Sequence, residues 1–435
     1  MAIAGLSNEG LGEGMLNDRP ILVRNALPGE TVTARILRKR KGFRFADGIT
    51  PDLADAHEHR IAPACGNFPR CGGCAMHHLD HSEQLAHKQA QLADALTAHG
   101  VSVGNWSPPV SVVRLGYRRK ARLGVRLVGD QVLVGFRESF SNRVARLLEC
   151  PVLTPQLSRL LGPLRKLLRR MSNPDQIPQI EVAQGDGQPV LMVRHLTPFD
   201  HNDLQMWKDF QSTAGVCILL QPGGYETLMT LDGGEPPMLG YRLPDSGLHM
   251  QFLPHQFTQV NLQMNQALIR YVIAYLGGMH SEILRDAKVA DLFCGIGNIS
   301  LPLARAGARV WGYEVAQQAV DMAWHNARRN CIEGRTHFAA LDLYGEGAAL
   351  PQDFDILVLD PPRSGAGPNL QGWLRAFSGD VVIYISCNPV SFAQDAAVFD
   401  QAGFALDRVG IFDMFPHTSH VETMGVFRRS ESLCG

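Results

Sequence analysis

One stretch constrains the fold more than any other. Val289-Ala290-Asp291-Leu292-Phe293-Cys294-Gly295-Ile296-Gly297-Asn298 runs from an apolar strand into a glycine-rich turn, and a helical pattern follows from about residue 299. Arg309-Val310-Trp311-Gly312-Tyr313-Glu314 then reads as a second strand that ends in an acid. Strand, turn, helix and strand in that order make a βαβ unit, which implies a parallel sheet in an α/β fold. Glu314 falls about 20 residues beyond Gly295, the distance at which an acid meets ribose hydroxyls in nucleotide-binding units. A dinucleotide site needs a third glycine for G-x-G-x-x-G, and Ser300 stands in its place. S-adenosylmethionine, with an adenosine but no phosphate, fits this turn better. An NAD-linked oxidoreductase is disfavoured for the same reason.

The alternation of apolar strands with helical patterns continues to the end of the chain. Phe354-Asp355-Ile356-Leu357-Val358-Leu359 is a buried strand that stops at Asp360-Pro361-Pro362-Arg363, because two prolines cannot continue a ladder. Val381-Val382-Ile383-Tyr384-Ile385 is another, ending at Ser386-Cys387-Asn388-Pro389. Ligands of open α/β sheets sit outside the carboxyl ends of the strands. Asp360 and Cys387 are therefore aimed at the same crevice as the glycine-rich turn. A free cysteine is most often a small buried hydrophobe, but its place at a strand end before Asn-Pro makes a nucleophile the better reading. Phe415-Pro416-His417-Thr418-Ser419-His420-Val421-Glu422 precedes a last apolar strand. Within this constellation Glu422 is a candidate base, with His420 as the residue to consider next.

The rest of the chain differs in character. At 435 residues it has room for roughly three domains. Residues 1–60 read as a small β-unit, with a turn at Pro28-Gly29-Glu30 and a strand over Val32–Ile36. Arg35, Arg38, Lys39, Arg40, Lys41 and Arg44 form a basic stretch that suits a solvated face or an RNA patch equally well. His81 to His99 reads as a polar amphipathic helix, and from about 110 to 250 short strands dominate, with a basic helix near 156–170. The change to βαβ character sets a boundary near 245–255, giving units of 1–60, 61–250 and 251–435. With 41 Lys and Arg against 42 Asp and Glu, the formal charge is −1, so nucleic-acid binding would have to come from local patches. The N-terminus has no basic, apolar leader and no segment reaches about 18 apolar residues, so a cytoplasmic protein with no membrane contact is expected.

Cys65, Cys71 and Cys74 stand on one loop around Gly72-Gly73, and Cys150 before Pro151 is available as a fourth ligand. Four thiolates suit a structural zinc or an iron–sulfur cluster. Three clustered ligands with one remote favour iron–sulfur somewhat, since zinc sites usually come as two short pairs.

Taken together, these residues resemble the RNA uracil-5-methyltransferases, most closely the type that methylates a uridine of 23S ribosomal RNA. The resemblance covers nearly the whole chain. Asn25-Ala26-Leu27-Pro28-Gly29-Glu30 is similar to that family's TRAM barrel, and Tyr117-Arg118-Arg119-Lys120-Ala121-Arg122 with Gly135-Phe136-Arg137 to its central domain. Phe257-Thr258-Gln259-Val260-Asn261 matches F-x-Q-x-N, and the motifs at Phe293–Asn298, Asp360–Arg363, Ser386–Pro389 and His417–Glu422 follow in the family's order. Ala75-Met76-His77-His78 departs from it by lacking the usual glutamine. The resemblance implies a class I, Rossmann-like methyltransferase domain preceded by a TRAM/OB-like β-barrel and a β-rich iron–sulfur domain. Cys65, Cys71, Cys74 and Cys150 would ligate a 4Fe–4S cluster, and Gln259, Phe293, Asn298, Glu314, Asp342 and Asp360 would contact S-adenosylmethionine. Cys387 would be the nucleophile, adding to uracil carbon 6, and Glu422 the base.

The implied partner is 23S ribosomal RNA, with its target uridine flipped out and Phe257 able to stack on it. Arg118, Arg119, Lys120 and Arg122 would hold phosphates. No obligatory protein partner is evident. Two other readings remain: the same chemistry on transfer RNA, whose enzymes usually lack the barrel and the four cysteines, and a non-catalytic ribosome-assembly protein. Intact Cys387 and Glu422 argue against the second.

Overall fold

The computed structural model describes residues 1–40, 42–49, 55–279, 281–350 and 353–430; Lys41 of the basic stretch lies outside them. Among the described residues, eight strands form the largest sheet. Its order is Thr336–Ala340, Arg309–Glu314, Lys288–Leu292, Ile356–Leu359, Val381–Ser386, Glu422–Arg429, Phe404–Phe412 and Val103–Trp106. The first five are parallel, linked through helices such as Ser300–Arg305 and Gln317–Arg329. Ile356–Leu359 is buried at every position, as expected of a strand covered by helices on both faces. From Lys288–Leu292 the chain builds outward first to one side and then to the other, so the topological switch point, and with it a ligand crevice, lies at the carboxyl end of this strand.

Glu422–Arg429 breaks the pattern by running antiparallel to both neighbours. Its amino end therefore lies beside the carboxyl end of Val381–Ser386, with Thr423 opposite Ser386. Reversal of one strand is what brings Glu422 to the edge where the parallel strands present their last residues.

The edge strand Val103–Trp106 pairs with Phe404–Phe412 and comes from far earlier in the chain. The preceding helix, His81–Ala98, packs on helix Pro389–Gln401 and buries Leu92 and Leu96 in the same core. Its polar pattern has a specific cause: the buried face also carries Gln84, Lys88 and Gln91. Lys88 Nζ meets Asp413 Oδ1 at 2.6 Å, and His81 Nε2 lies 2.8 Å from Asp413 Oδ2. The hairpin Leu239–Leu243/Leu248–Phe252 also packs into the C-terminal core, against helix Leu262–Tyr275.

A six-stranded sheet occupies the middle of the chain, in the order Met229–Thr230, Cys217–Gln221, Val190–Arg194, Gln179–Ala183, Lys120–Val128, Gln131–Gly135. Helix Pro155–Leu168 covers it through Leu157, Leu160, Leu161, Leu164 and Leu168. At the N-terminus, five strands surround a small core of Ile3, Ile21, Val23, Ala26, Val32 and Ala46. The expected strand over Val32–Ile36 begins instead at Ala34, because the Val32 amide donates to Met1 O at 2.9 Å. No described helix is long and apolar enough to cross a membrane.

Candidate active site

The carboxyl ends of the parallel strands open into a cleft of about 830 Å³. Phe293 leaves the strand Lys288–Leu292 with φ of 64°, a left-handed conformation that costs a bulky residue roughly 1–3 kcal/mol. Gly297, with φ of 86°, relieves the next tight point, since a Cβ there would lie 3.2 Å from Leu301 Cγ. Glu314 ends the neighbouring strand beside this turn. Its Oε2 accepts from the Gly295 amide at 3.3 Å and its Oε1 from the Ala316 amide at 3.0 Å. Those two bonds fix the carboxylate at the cleft wall and leave lone pairs for ribose hydroxyls.

Seven of the eight residues expected to contact the methyl donor or the base line this cleft: Gln259, Phe293, Glu314, Asp342, Asp360, Cys387 and Glu422. Asn298 does not. Its Oδ1 accepts from Tyr241 Oη at 2.8 Å and Asn265 Nδ2 at 2.9 Å, and its Nδ2 donates to Asn265 Oδ1 at 2.8 Å. Both ends of the amide are engaged inside the protein, so Asn298 holds the turn from behind. Asp291 was not singled out by sequence, yet it is fully buried beneath the turn. Ser300 Oγ donates to its Oδ2, whereas Oδ1 has no partner. The Asp291 carboxylate lies behind the turn and does not line the cleft, so it supports the turn from within. The only sequence signal was an acid inside an otherwise apolar strand.

The chemistry-bearing groups crowd one another. Burial pushes Asp360 up from the carboxylate range, and burial with the charge of Asp360 pushes Glu422 up. Burial, then Glu422, push the Cys387 thiol up to about 11, with the Arg363 guanidinium pulling the other way. Arg363 Nη2 donates to His420 Nδ1 at 2.8 Å. Burial and that guanidinium lower His420 to about 4, which makes it a weaker base than Glu422. Phe257 stands at the cleft mouth, 77% exposed.

The basic run at 118–122 divides. Arg118 lines the cleft. Arg119 pairs with Asp186 at 2.8 Å, Arg122 with Glu181 at 3.1 Å, and Lys120 Nζ donates to Gln256 O at 2.6 Å. Lys120 is thus an interior strut between the strand and the segment carrying Phe257. All four residues expected on phosphates have protein partners, since Arg118 Nε donates to Lys120 O at 3.0 Å and its guanidinium lies over the Phe136 ring.

Cys65, Cys71, Cys74 and Cys150 line a second, largely apolar pocket with Phe68, His77 and Phe136. Gly72 is required by close approach: its amide donates to Arg137 O at 2.9 Å, and a Cβ would lie 2.9 Å from the same oxygen. Burial pushes the Cys71 thiol up to about 12, and burial and the other cysteines raise Cys74 as well. Among the described residues no group of three or more His, Cys, Asp or Glu is set to hold a metal ion. The four thiols share a pocket instead, and their mutual repulsion as thiolates is a charge pattern that a polynuclear cation relieves.

The family model for tRNA (Uracil-5-)-methyltransferase matches residues 241–342 and 347–430. The 23S rRNA (uracil(1939)-C(5))-methyltransferase RlmD of Hahella chejuensis is 39% identical over 98% of this chain and 96% of its own length. That of Azoarcus sp. is 39% identical over 98% and 99%. The chain belongs to the RlmD family of RNA uracil-5-methyltransferases. Its fold is that of an S-adenosylmethionine-dependent methyltransferase. The solved tRNA (uracil-54, C5)-methyltransferase of Pyrococcus abyssi, in complex with S-adenosyl-L-homocysteine, superposes with a TM-score of 0.74 at 23% identity, covering 98% of this chain and 99% of that one. A tRNA enzyme therefore shares the whole-chain plan.

Proposed function

We propose that this protein transfers a methyl group from S-adenosylmethionine to carbon 5 of a uridine in 23S ribosomal RNA, as a cytoplasmic enzyme. The observation that carries the reading is the convergence of Glu314, Cys387 and Glu422 on one cleft. S-adenosylmethionine, when bound, supplies an electrophilic methyl group. Glu314 takes its ribose hydroxyls, and the glycine-rich turn at Phe293, Gly295 and Ile296 faces the rest of the molecule. Gln259, Phe293, Asp342 and Asp360 complete the walls.

Cys387 Sγ forms a bond to uracil carbon 6, and the electron pair of the 5,6 double bond moves into the ring as an enolate. The enolate would then form a bond from carbon 5 to the methyl carbon of S-adenosylmethionine, as the bond from that carbon to sulfur breaks and its electron pair stays on the departing S-adenosylhomocysteine. Glu422 removes the carbon 5 proton, its electron pair restores the double bond, and the Cys387–carbon 6 bond breaks to regenerate the thiolate. The target base has to leave its stack to reach Cys387, and Phe257 offers an aromatic face at the mouth. Arg118 is the phosphate contact at the cleft.

Residues 65–150 hold a 4Fe–4S cluster in this account. Cys65, Cys71, Cys74 and Cys150 would hold it from the walls of their shared pocket, four thiolates being the donor set such a cluster takes. The five-stranded N-terminal unit acts as the TRAM-like RNA-binding barrel and the six-stranded sheet as the centre of the middle domain. Helix His81–Ala98, strand Val103–Trp106 and the hairpin Leu239–Phe252 join residues 251–430 in the methyltransferase domain, so the expected 61–250 and 251–435 bounds are redrawn. Incubating the purified protein with S-adenosylmethionine and either 23S ribosomal RNA or transfer RNA, then mapping 5-methyluridine by mass spectrometry, tests the reading. Methylation at one 23S uridine is expected. Modification of transfer RNA alone would move the activity to the second substrate.

A further inference from the structure

The loop that carries Glu422 is built against the cysteine loop. The His417 ring lies flat on the His77 ring, with centroids 3.9 Å apart and planes at 7°. His77 itself lines the cysteine pocket, three residues after Cys74. The carbonyl of His417 accepts from both the Ala75 and Met76 amides at 2.9 Å. Its amide donates to Gln84 Oε1 at 2.9 Å, while Gln84 Nε2 donates to Met76 O and Leu79 O. Tyr117 Oη donates to Pro416 O at 3.2 Å, and Lys88 Nζ to Phe415 O at 3.0 Å. His417 is held at φ of 65°, a conformation a histidine keeps only where its surroundings over-determine it. Those surroundings are the residues that follow the cysteine loop.

We propose that His77 is a positioning residue for proton removal: by stacking on His417 it lets the cysteine lobe hold the Glu422 loop at the distance from carbon 5 that the base requires. The inference rests on the reading of Glu422 as base. Without the stack, the backbone bonds of His417 to Ala75, Met76 and Gln84 remain but its ring loses its support, so His417 and the five residues to Glu422 are held less firmly. Addition by Cys387 is spared, because that thiol follows a different element, the strand Val381–Ser386, which the 415–422 loop does not carry.

The test compares His77→Ala and His77→Phe in the holo-protein. With uridine RNA, His77→Ala should lose about tenfold or more in turnover, and methylated covalent enzyme–RNA adduct should accumulate. With 5-fluorouridine RNA, which has no carbon 5 proton to remove, capture should stay within about twofold of wild type. Iron and sulfide content and S-adenosylmethionine affinity should be retained, and amide hydrogen exchange across 413–422 should accelerate. His77→Phe, which keeps a flat ring, should restore turnover. If His77→Ala loses its iron, His417→Gly, which leaves residues 65–77 intact, is expected to show the same accumulation and faster exchange. Wild-type turnover with unchanged exchange in the iron-loaded variant overturns the proposal, as does a loss of fluorouridine capture equal to the loss of turnover. Glu422→Gln serves as control: if it accumulates no methylated adduct, the base reading fails first and the role of His77 falls with it.

Discussion

Ser386 lies directly opposite Thr423 across an antiparallel strand pair, which places Cys387 and Glu422 at one edge of the sheet although 35 positions of sequence separate them. A nucleophile on the carboxyl end of a parallel strand cannot find a partner on the amino end of another parallel strand, since the two lie at opposite edges. The reversed strand Glu422–Arg429 removes that obstacle. It also seats both groups beside Asp360, where burial and then Asp360 raise the proton affinity of Glu422, and burial and then Glu422 raise that of Cys387.

Glu314→Ala should weaken S-adenosylmethionine binding while leaving RNA affinity unchanged. Two charge-assisted hydrogen bonds at ~1.5–3 kcal/mol each in gross terms imply at least about a tenfold loss. Isothermal titration reads this directly, and unchanged affinity would remove Glu314 from the cofactor site.

The pH dependence follows from the crowded acids. Glu422 works as a base only when deprotonated, and its raised proton affinity puts the acid limb of the single-turnover rate above the ordinary carboxylate range. The rate should rise with pH through that limb. Asp360→Asn removes a like charge, so the limb should move to lower pH in the residual activity. The same groups affect stability with the opposite sense. Both bind protons more tightly folded than unfolded, so stability falls as pH rises from the ordinary carboxylate range through their folded values.

Protein purified without oxygen should be brown and contain iron and sulfide in equal amounts. Cys150→Ser should lose the colour and much soluble protein. Stoichiometric zinc without labile sulfide would contradict the cluster.

Lys88 and Asp413 form an ion pair inside the protein, with side chains 1% and 0% exposed. Lys88→Met leaves Asp413 with His81 and the Ser111 hydroxyl, and removing one partner of a buried pair typically costs about 3–5 kcal/mol. Denaturant unfolding should show a loss of that size, and a loss below about 1 kcal/mol would place the pair among weak surface bridges.

The βαβ unit, the strand ends at Asp360 and Cys387 and the cysteine loop were legible because each rests on local chemistry: glycine at a turn, proline ending a ladder, thiols at short spacing. What was not legible depends on pairings made across the chain. Asn298 looked like a cofactor contact because it follows the glycine-rich turn, but Asn265 and Tyr241, from two separate segments, occupy its amide. Helix His81–Ala98 read as polar and amphipathic, but which polar residues face inward was not legible, because Lys88 and Gln84 are buried against Asp413 and His417, more than 300 residues away. Arg119, Lys120 and Arg122 looked like a phosphate clamp until Asp186, Gln256 and Glu181 appeared beside them. Asp291 was hidden by its apolar neighbours.

The most direct measurement is peptide mass spectrometry of Glu422→Gln incubated with 23S ribosomal RNA and S-adenosylmethionine. A 5-methylated uridine bonded to the Cys387 peptide is expected, stable to denaturing electrophoresis, absent without S-adenosylmethionine and absent when Cys387→Ala is added. An adduct on any other residue, or full turnover by Glu422→Gln, would contradict the assignment of nucleophile and base.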